Sequence, residues 1–203
     1  YVSSSEIYGD SFASAQPLDE TAPLAPKNPY AASKAAADLM AGQYADGGMR
    51  IIRVRPFNHV GPGQSTDFVV SAFASQIARI EKGLQEHVLS VGNLDAKRDF
   101  LHVRDVTNAY LTLIDHSSSL SPGAVFNICS GIPRSIREIL EGLLCLSECR
   151  IEVRQERKRL RPSEIPVAVG SAAKLQAEID WAPAMPWEEV LRQTLDYWRG
   201  KVS

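Results

Sequence analysis

Residues 28–40 read NPYAASKAAADLM and place Tyr30 and Lys34 four residues apart in an alanine-rich run. Asn28 is a good N-cap, Pro29 suits the first helical position, alanines carry the run to Ala45, and Gly47-Gly48 can end it. The pattern predicts a helix of roughly 17 residues. Positions i and i+4 share one helix face, so the phenol and the ammonium point at the same spot. A phenol with an ordinary pKa of about 10 handles protons poorly at neutral pH, and an adjacent ammonium favours its phenolate. Proton exchange with a substrate hydroxyl or carbonyl then becomes feasible. Taken alone, this spacing also arises by chance.

On the amino-terminal side, YVSSSEIYG (1–9) starts with strand formers and runs into serines. Hydroxyls at the carboxyl end of a strand sit where open α/β folds place their ligands. A simple turn is the plainer reading of the same residues. On the carboxyl-terminal side, RIIRVRP (50–56) reads as a strand stopped by Pro56, and NHVGPGQ (58–64) as a Gly/Pro loop. Phe68, Ala72, Phe73, Ile77 and Ile80 recur at helical spacing, and HVLSV (87–91) reads as a strand. Asp105 is expected to cap a helix ending near His116, and AVFNICSG (124–131) to be a buried strand. Ser135 and Glu138 form a capping box ahead of IREILEGLLCL, RIEVRQ (150–155) is a strand, Ser171 caps a short helix, and Pro186 starts a last helix through Trp198. Strands and helices alternate, which predicts an α/β class with a largely parallel sheet.

Composition bounds the function. The chain has 203 residues, 44% apolar and 23% charged, with a net charge of -2, so nucleic acid is not expected as its main partner. There is no apolar run long enough for a membrane span, and no signal-like start. Cys129, Cys145 and Cys149 lie on apolar segments without metal spacing and are expected to be reduced core residues in a cytoplasmic protein. His59, His87, His102 and His116 lack ligand spacing, so no metal is expected. RQERKRLR (154–161) is basic, but Glu156 inside it, Glu164 after it and the acidic balance of the chain weigh against nucleic-acid binding.

SSSEIYG (3–9), YAASK (30–34) and VRPFNHVGPGQ (54–64), in this order, resemble the extended short-chain dehydrogenase/reductase family of nucleotide-sugar epimerases, dehydratases and reductases. The likeness continues through KRDF (97–100), DFLHVRDV (99–106), VFNICSG (125–131) and RPSEIP (161–166). It implies a Rossmann-type NAD(P)-binding fold, made here of residues 1–58 and about 99–131, with residues about 59–98 and 132–203 forming mainly a smaller α/β nucleotide-sugar part. It implies Ser4, Tyr30 and Lys34 as the catalytic set, with Tyr30, Lys34 and Phe57 against NADH or NADPH. Ser5, Glu6, Asn58, Arg98, Arg161 and Glu164 are implied to hold a GDP-sugar, the arginines on its diphosphate and ribose. Glu6 stands where dehydratases carry an acid used in elimination. Homodimers are common in the family.

Within the family, RPFNHVGPGQ (55–64), VGNLDAKRDF (91–100) and RPSEIP (161–166) imply reduction of the 4-keto group of GDP-4-keto-6-deoxy-D-mannose to GDP-D-rhamnose. GDP-mannose 4,6-dehydration, UDP-sugar 4-epimerisation and dTDP-sugar dehydration share the scaffold, and a non-catalytic sugar-nucleotide-binding remnant is the rival outside enzymology. One departure stands out. The family's Gly-rich turn after a first strand is absent, and GPGQST (61–66) lacks its third glycine. The chain is therefore expected to be the carboxyl-terminal piece of such an enzyme, weak in dinucleotide binding by itself.

Overall fold

The computed structural model describes residues 1–156 and 165–202. The alanine-rich run forms α1 (Pro29–Asp46), with the Asn28 side chain accepting the Ala31 amide at 2.7 Å and Gly47 at its end. It buries only Ala31, Ala35, Asp38 and Ala45, whereas Leu39, Met40 and Tyr44 are more than half exposed. Small side chains let the helix lie close to its support, and a single carboxylate sits within that buried stripe.

The chain divides into two compact units, Tyr1–His59 with Arg98–Pro133 and Val167–Ala184, and Val60–Lys97 with Arg134–Pro166 and Met185–Ser203. In the first, β1 (Arg53–Pro56) pairs in parallel with β5 (Val125–Ile128), Val54 opposite Phe126, and Val2 also bridges Val54 in parallel. The expected parallel arrangement is present, with Val125, Phe126 and Ile128 of β5 and Val54 of β1 supplying its β-branched and aromatic residues. Val54, Phe126 and Ile128 share a core with Leu101, Val106, Ala109, Leu113, Leu175, Ile179 and Trp181. Burial of these side chains is the main source of the unit's stability.

Several boundaries differ from the sequence reading. Residues 5–14 wind into a 3₁₀ segment, Ser5–Ser14, in place of a simple turn. Its kink at Gly9 has φ 47°, and a Cβ there would stand 1.7 Å from the Ala25 carbonyl oxygen, so only glycine fits. The helix α3 (Val103–Asp115) is capped by His102, whose Nδ1 accepts the Arg104 amide at 3.2 Å. Asp105 sits within the first turn and takes the Ala184 amide at 3.1 Å instead. Ser171 precedes the true cap position, Ala172, of α5 (Ala173–Ile179). Part of the expected Gly/Pro loop is β2 (Asn58–Val60), and KRDFLH is β4 (Lys97–His102), which had no prediction because its polar start masks alternation. Val167–Ala184 belongs to the first unit, where the sequence reading had grouped it with the other: β8 (Val167–Ala168) pairs β4, and Leu175, Ile179 and Trp181 fill the core.

In the second unit, α2 (Val69–Glu81), α4 (Ile136–Cys145) and α6 (Trp187–Lys201) pack on one another. Their apolar stripes include Phe73, Ile77, Ile139, Leu143, Leu191 and Leu195, all buried. The Ser135–Glu138 capping box forms as expected. Arg199 grips Glu81 with two bonds of 2.7 and 2.8 Å, and β3 (Val88–Val91) pairs in parallel with β7 (Glu152–Gln155). Of the cysteines only Cys129 is a core residue; Cys145 is exposed and Cys149 half-buried. Among the described residues no helix is long and apolar enough to cross a membrane.

Candidate active site

The first turns of α1 carry the predicted pair. Tyr30 is 52% exposed, available to a ligand. The Lys34 ammonium donates to the Val2 carbonyl oxygen at 3.1 Å and lies 5.7 Å from the Tyr1 ring centre, while the Tyr1 hydroxyl donates to the Lys34 carbonyl at 3.3 Å. Burial, followed by the charges of Asp38 and Tyr30, pushes the Tyr1 phenol up, which puts Tyr30 within electrostatic reach of residue 1. The helix face and the strand-like start of the chain therefore meet.

Ser3, Ser4 and Ser5 follow directly and are buried. The Ser4 oxygen accepts the Glu6 amide at 3.2 Å and caps the 3₁₀ segment, an arrangement that does not use its O–H donor. Glu6 is exposed and accepts from the Asn28 side chain at 3.1 Å. Burial pulls the Arg98 guanidinium down from its ordinary value, and the charge of Glu6 opposes that shift. Glu6, Arg98 and the cap of α1 thus occupy one neighbourhood. Asn58 is exposed at the start of β2, beside His59, whose Nδ1 lies 3.1 Å from the Phe57 carbonyl oxygen.

Phe57, implied by the resemblance to lie against the cofactor, directs its ring inward. Its side chain is 2% exposed, with ring centres of Phe12 and Tyr8 at 6.1 and 6.5 Å, so the ring packs in the core. Arg161 and Glu164 lie outside the described residues.

The sequence reading missed a buried polar group beneath α1. Asp38 is 0% exposed, and the Arg55 guanidinium grips it at 3.0 and 3.1 Å while Arg53 adds a bond of 3.2 Å. Burial disfavours its charge, but the hydrogen bonds and charge of Arg55 and the charge of Arg53 outweigh it and hold the carboxyl below its usual range. Arg55 also donates to the Tyr8 hydroxyl at 3.0 Å. Burial, only partly offset by Arg55, pushes the Tyr8 phenol up to about 12, so it stays neutral. An Asp in the middle of an alanine-rich helix, four residues past Lys34, was the available signal. Among the described residues no three His, Cys, Asp or Glu side chains group as a metal site.

What this arrangement can do is proton transfer from an exposed phenol one helical turn from a fixed ammonium. Residues 1–194 match the protein family described as GDP-mannose 4,6 dehydratase. A GDP-6-deoxy-D-mannose reductase from Pseudomonas aeruginosa is 41% identical over all 203 residues, and the chain spans 66% of it. A solved structure, RMD from Pseudomonas aeruginosa complexed with NADPH, superposes with a TM-score of 0.93 at 40% identity, covering 100% of this chain and 66% of that one. The dTDP-glucose 4,6-dehydratase of Bacillus anthracis in complex with NAD superposes with a TM-score of 0.80 at 27% identity, covering 98% of this chain and 60% of that one. The fold is thus the Rossmann-type α/β fold of the nucleotide-sugar epimerases and dehydratases. The family model matches residues 1–194 and the Pseudomonas aeruginosa relative all 203 residues, so the chain belongs to the GDP-mannose 4,6 dehydratase family of extended short-chain dehydrogenases/reductases.

Proposed function

We propose that the protein carrying this chain reduces the 4-keto group of GDP-4-keto-6-deoxy-D-mannose to give GDP-D-rhamnose, using NADPH or NADH. The observation that carries the reading is the exposed Tyr30 phenol on the helix face of Lys34, whose ammonium is held on the Val2 carbonyl two residues before Ser4. The name of the Pseudomonas aeruginosa reductase supports the substrate, and the NADPH in the Pseudomonas aeruginosa structure supports the cofactor.

The donor set of this chain fits one end of such a cofactor: an ammonium with three N–H groups, one of them held by Val2, leaves donors for ribose hydroxyls. When bound, the reduced nicotinamide supplies a hydride to C4 of the sugar. Tyr30 gives its phenolic proton to the C4 oxygen as that oxygen gains charge. Lys34 lowers the cost of the phenolate left behind, and the Ser4 O–H steadies the same oxygen. Arg98 and Asn58 hold the GDP-sugar, with Arg161 and Glu164 assigned to it by family likeness. Ser5 lines the same segment. Glu6 is committed to Asn28 and attracted by Arg98, which favours reduction over elimination.

The first unit is assigned to the dinucleotide and the second mainly to the nucleotide sugar. Cytoplasmic location and homodimerisation complete the reading, the latter supported by the exposed Leu39, Met40 and Tyr44 of α1. Tyr30→Phe in the full-length protein tests it. Steady-state oxidation of NADPH with the 4-keto sugar should slow by roughly a hundredfold or more, with GDP-sugar affinity nearly unchanged. Wild-type turnover in that variant removes Tyr30 from the mechanism.

A further inference from the structure

Asp38 stands four residues past Lys34 and eight past Tyr30, so all three lie along one face of α1. Arg55 binds both of its oxygens, Nη2 to Oδ1 at 3.0 Å and Nε to Oδ2 at 3.1 Å. Arg53 Nη1 donates to Oδ1 and to the carbonyl oxygen of Asp38 itself, each at 3.2 Å. Both guanidinium groups are anchored elsewhere as well. Arg53 donates to the Gly123 carbonyl from Nε at 3.1 Å and from Nη2 at 2.8 Å. Arg55 Nη1 donates to the Tyr8 hydroxyl at 3.0 Å and to the Glu20 carbonyl at 3.1 Å. The Tyr8 hydroxyl in turn donates to Asn127 Oδ1, on β5, at 2.7 Å.

A continuous chain of bonds thus runs from β5 through Tyr8 and β1 to the middle of α1. A single hydrogen bond fixes a distance; a two-pronged guanidinium–carboxylate pair also fixes orientation. Stability alone explains this arrangement poorly, because buried ion pairs are often no better than apolar packing. The remaining buried contacts of α1 come from alanines, which resist rotation weakly. Gly42 adds to the picture: a Cβ there would come within 2.8 Å of Arg53 Nη1, so the helix approaches the guanidinium as closely as a missing side chain permits.

We infer that Asp38, gripped by Arg55 and Arg53, is a positioning residue that sets the rotation of α1 about its axis and so places Tyr30 and Lys34 for proton transfer. The inference rests on the proposed role of those two residues. A small misplacement of a proton donor slows the chemical step while the nucleotide sugar still binds through other residues.

Two variants of the full-length protein test it, each with a Tyr30→Phe control. Arg55→Lys keeps the buried charge and removes the fork; kcat for 4-keto reduction should fall about tenfold or more with KM within about twofold. Gly42→Ala removes no charge and improves intrinsic helix propensity, but displaces Arg53. Its kcat should fall by about threefold or more in a fully folded protein, with KM again preserved. If Arg55→Lys does not fold, Gly42→Ala decides. Wild-type kcat in the folded variants, or a change confined to KM, overturns the positioning role. Activity that survives Tyr30→Phe instead overturns the functional reading beneath it, so the two failures are distinguishable.

Discussion

Asp38 and Asp99 are both 0% exposed, both lie in the first unit, and they are accommodated there by opposite means. Asp38 is met by two guanidinium groups carried on a strand. Asp99 is met by the Ser130 amide and hydroxyl at 2.8 and 2.6 Å, the Gly131 amide at 2.9 Å and the Gly170 amide at 3.3 Å. Among the described residues no cation bonds it. Burial pushes the Asp99 carboxyl up despite those four donors, whereas the arginines hold the Asp38 carboxyl down. Amide dipoles satisfy a carboxylate without cancelling its charge, and guanidinium groups do both. The two sites accordingly join different things. Asp99 ties β4 to the turns at 130–131 and 170, beside Arg98, and Asp38 ties a helix to a sheet.

The comparison breaks first at Asp38. Asp38→Ala strands two guanidinium groups, one of them buried, and should cost about 3–5 kcal/mol in urea unfolding. A loss below about 1 kcal/mol would mean that the arginines are satisfied otherwise. Asp99→Asn turns an NH₂ toward amide donors and should cost less, about 1–3 kcal/mol by the same measurement.

The smallest effect sharpens the contrast through pH. The Asp38 carboxyl lies below its reference value of 3.8 in the folded state, so its stabilisation is present above pH 3.8 and is lost as pH falls through the lower folded value. The Asp99 carboxyl lies above 3.8, so its contribution is full below pH 3.8 and is lost as pH rises through the raised value. The penalty of Asp38→Ala should therefore shrink on acidification below pH 3.8, while that of Asp99→Asn grows on approach to pH 3.8 from above. Neither slope exceeds about 1.4 kcal/mol per pH unit. Parallel slopes would remove the distinction between the two sites.

Much of this site was legible in the linear chain, and the exceptions have physical causes. Tyr30 and Lys34 could be paired because helical spacing is local and Asn28-Pro29 marks the start of the helix. The Ser135–Glu138 box was readable for the same reason. The burial of Phe57 was not legible because it depends on Tyr8 and Phe12, which only the fold brings to it. Asp105 has the chemistry of a cap, but β4 ends at His102 and the helix begins at once, leaving Asp105 inside the first turn.

By itself the sequence determined the alternation of strands and helices, the helix carrying Tyr30 and Lys34, and the family. These follow from periodicity, capping and motif order, which act over a few residues at a time. Only the tertiary structure decided which charges are buried, which serine caps a turn, and how α1 is gripped. Asp38 meets Arg53 and Arg55 across 15 and 17 residues, and Tyr8 meets Asn127 across 119. Such pairings are chosen by the free energy of burying a charge, which no local pattern along the chain records.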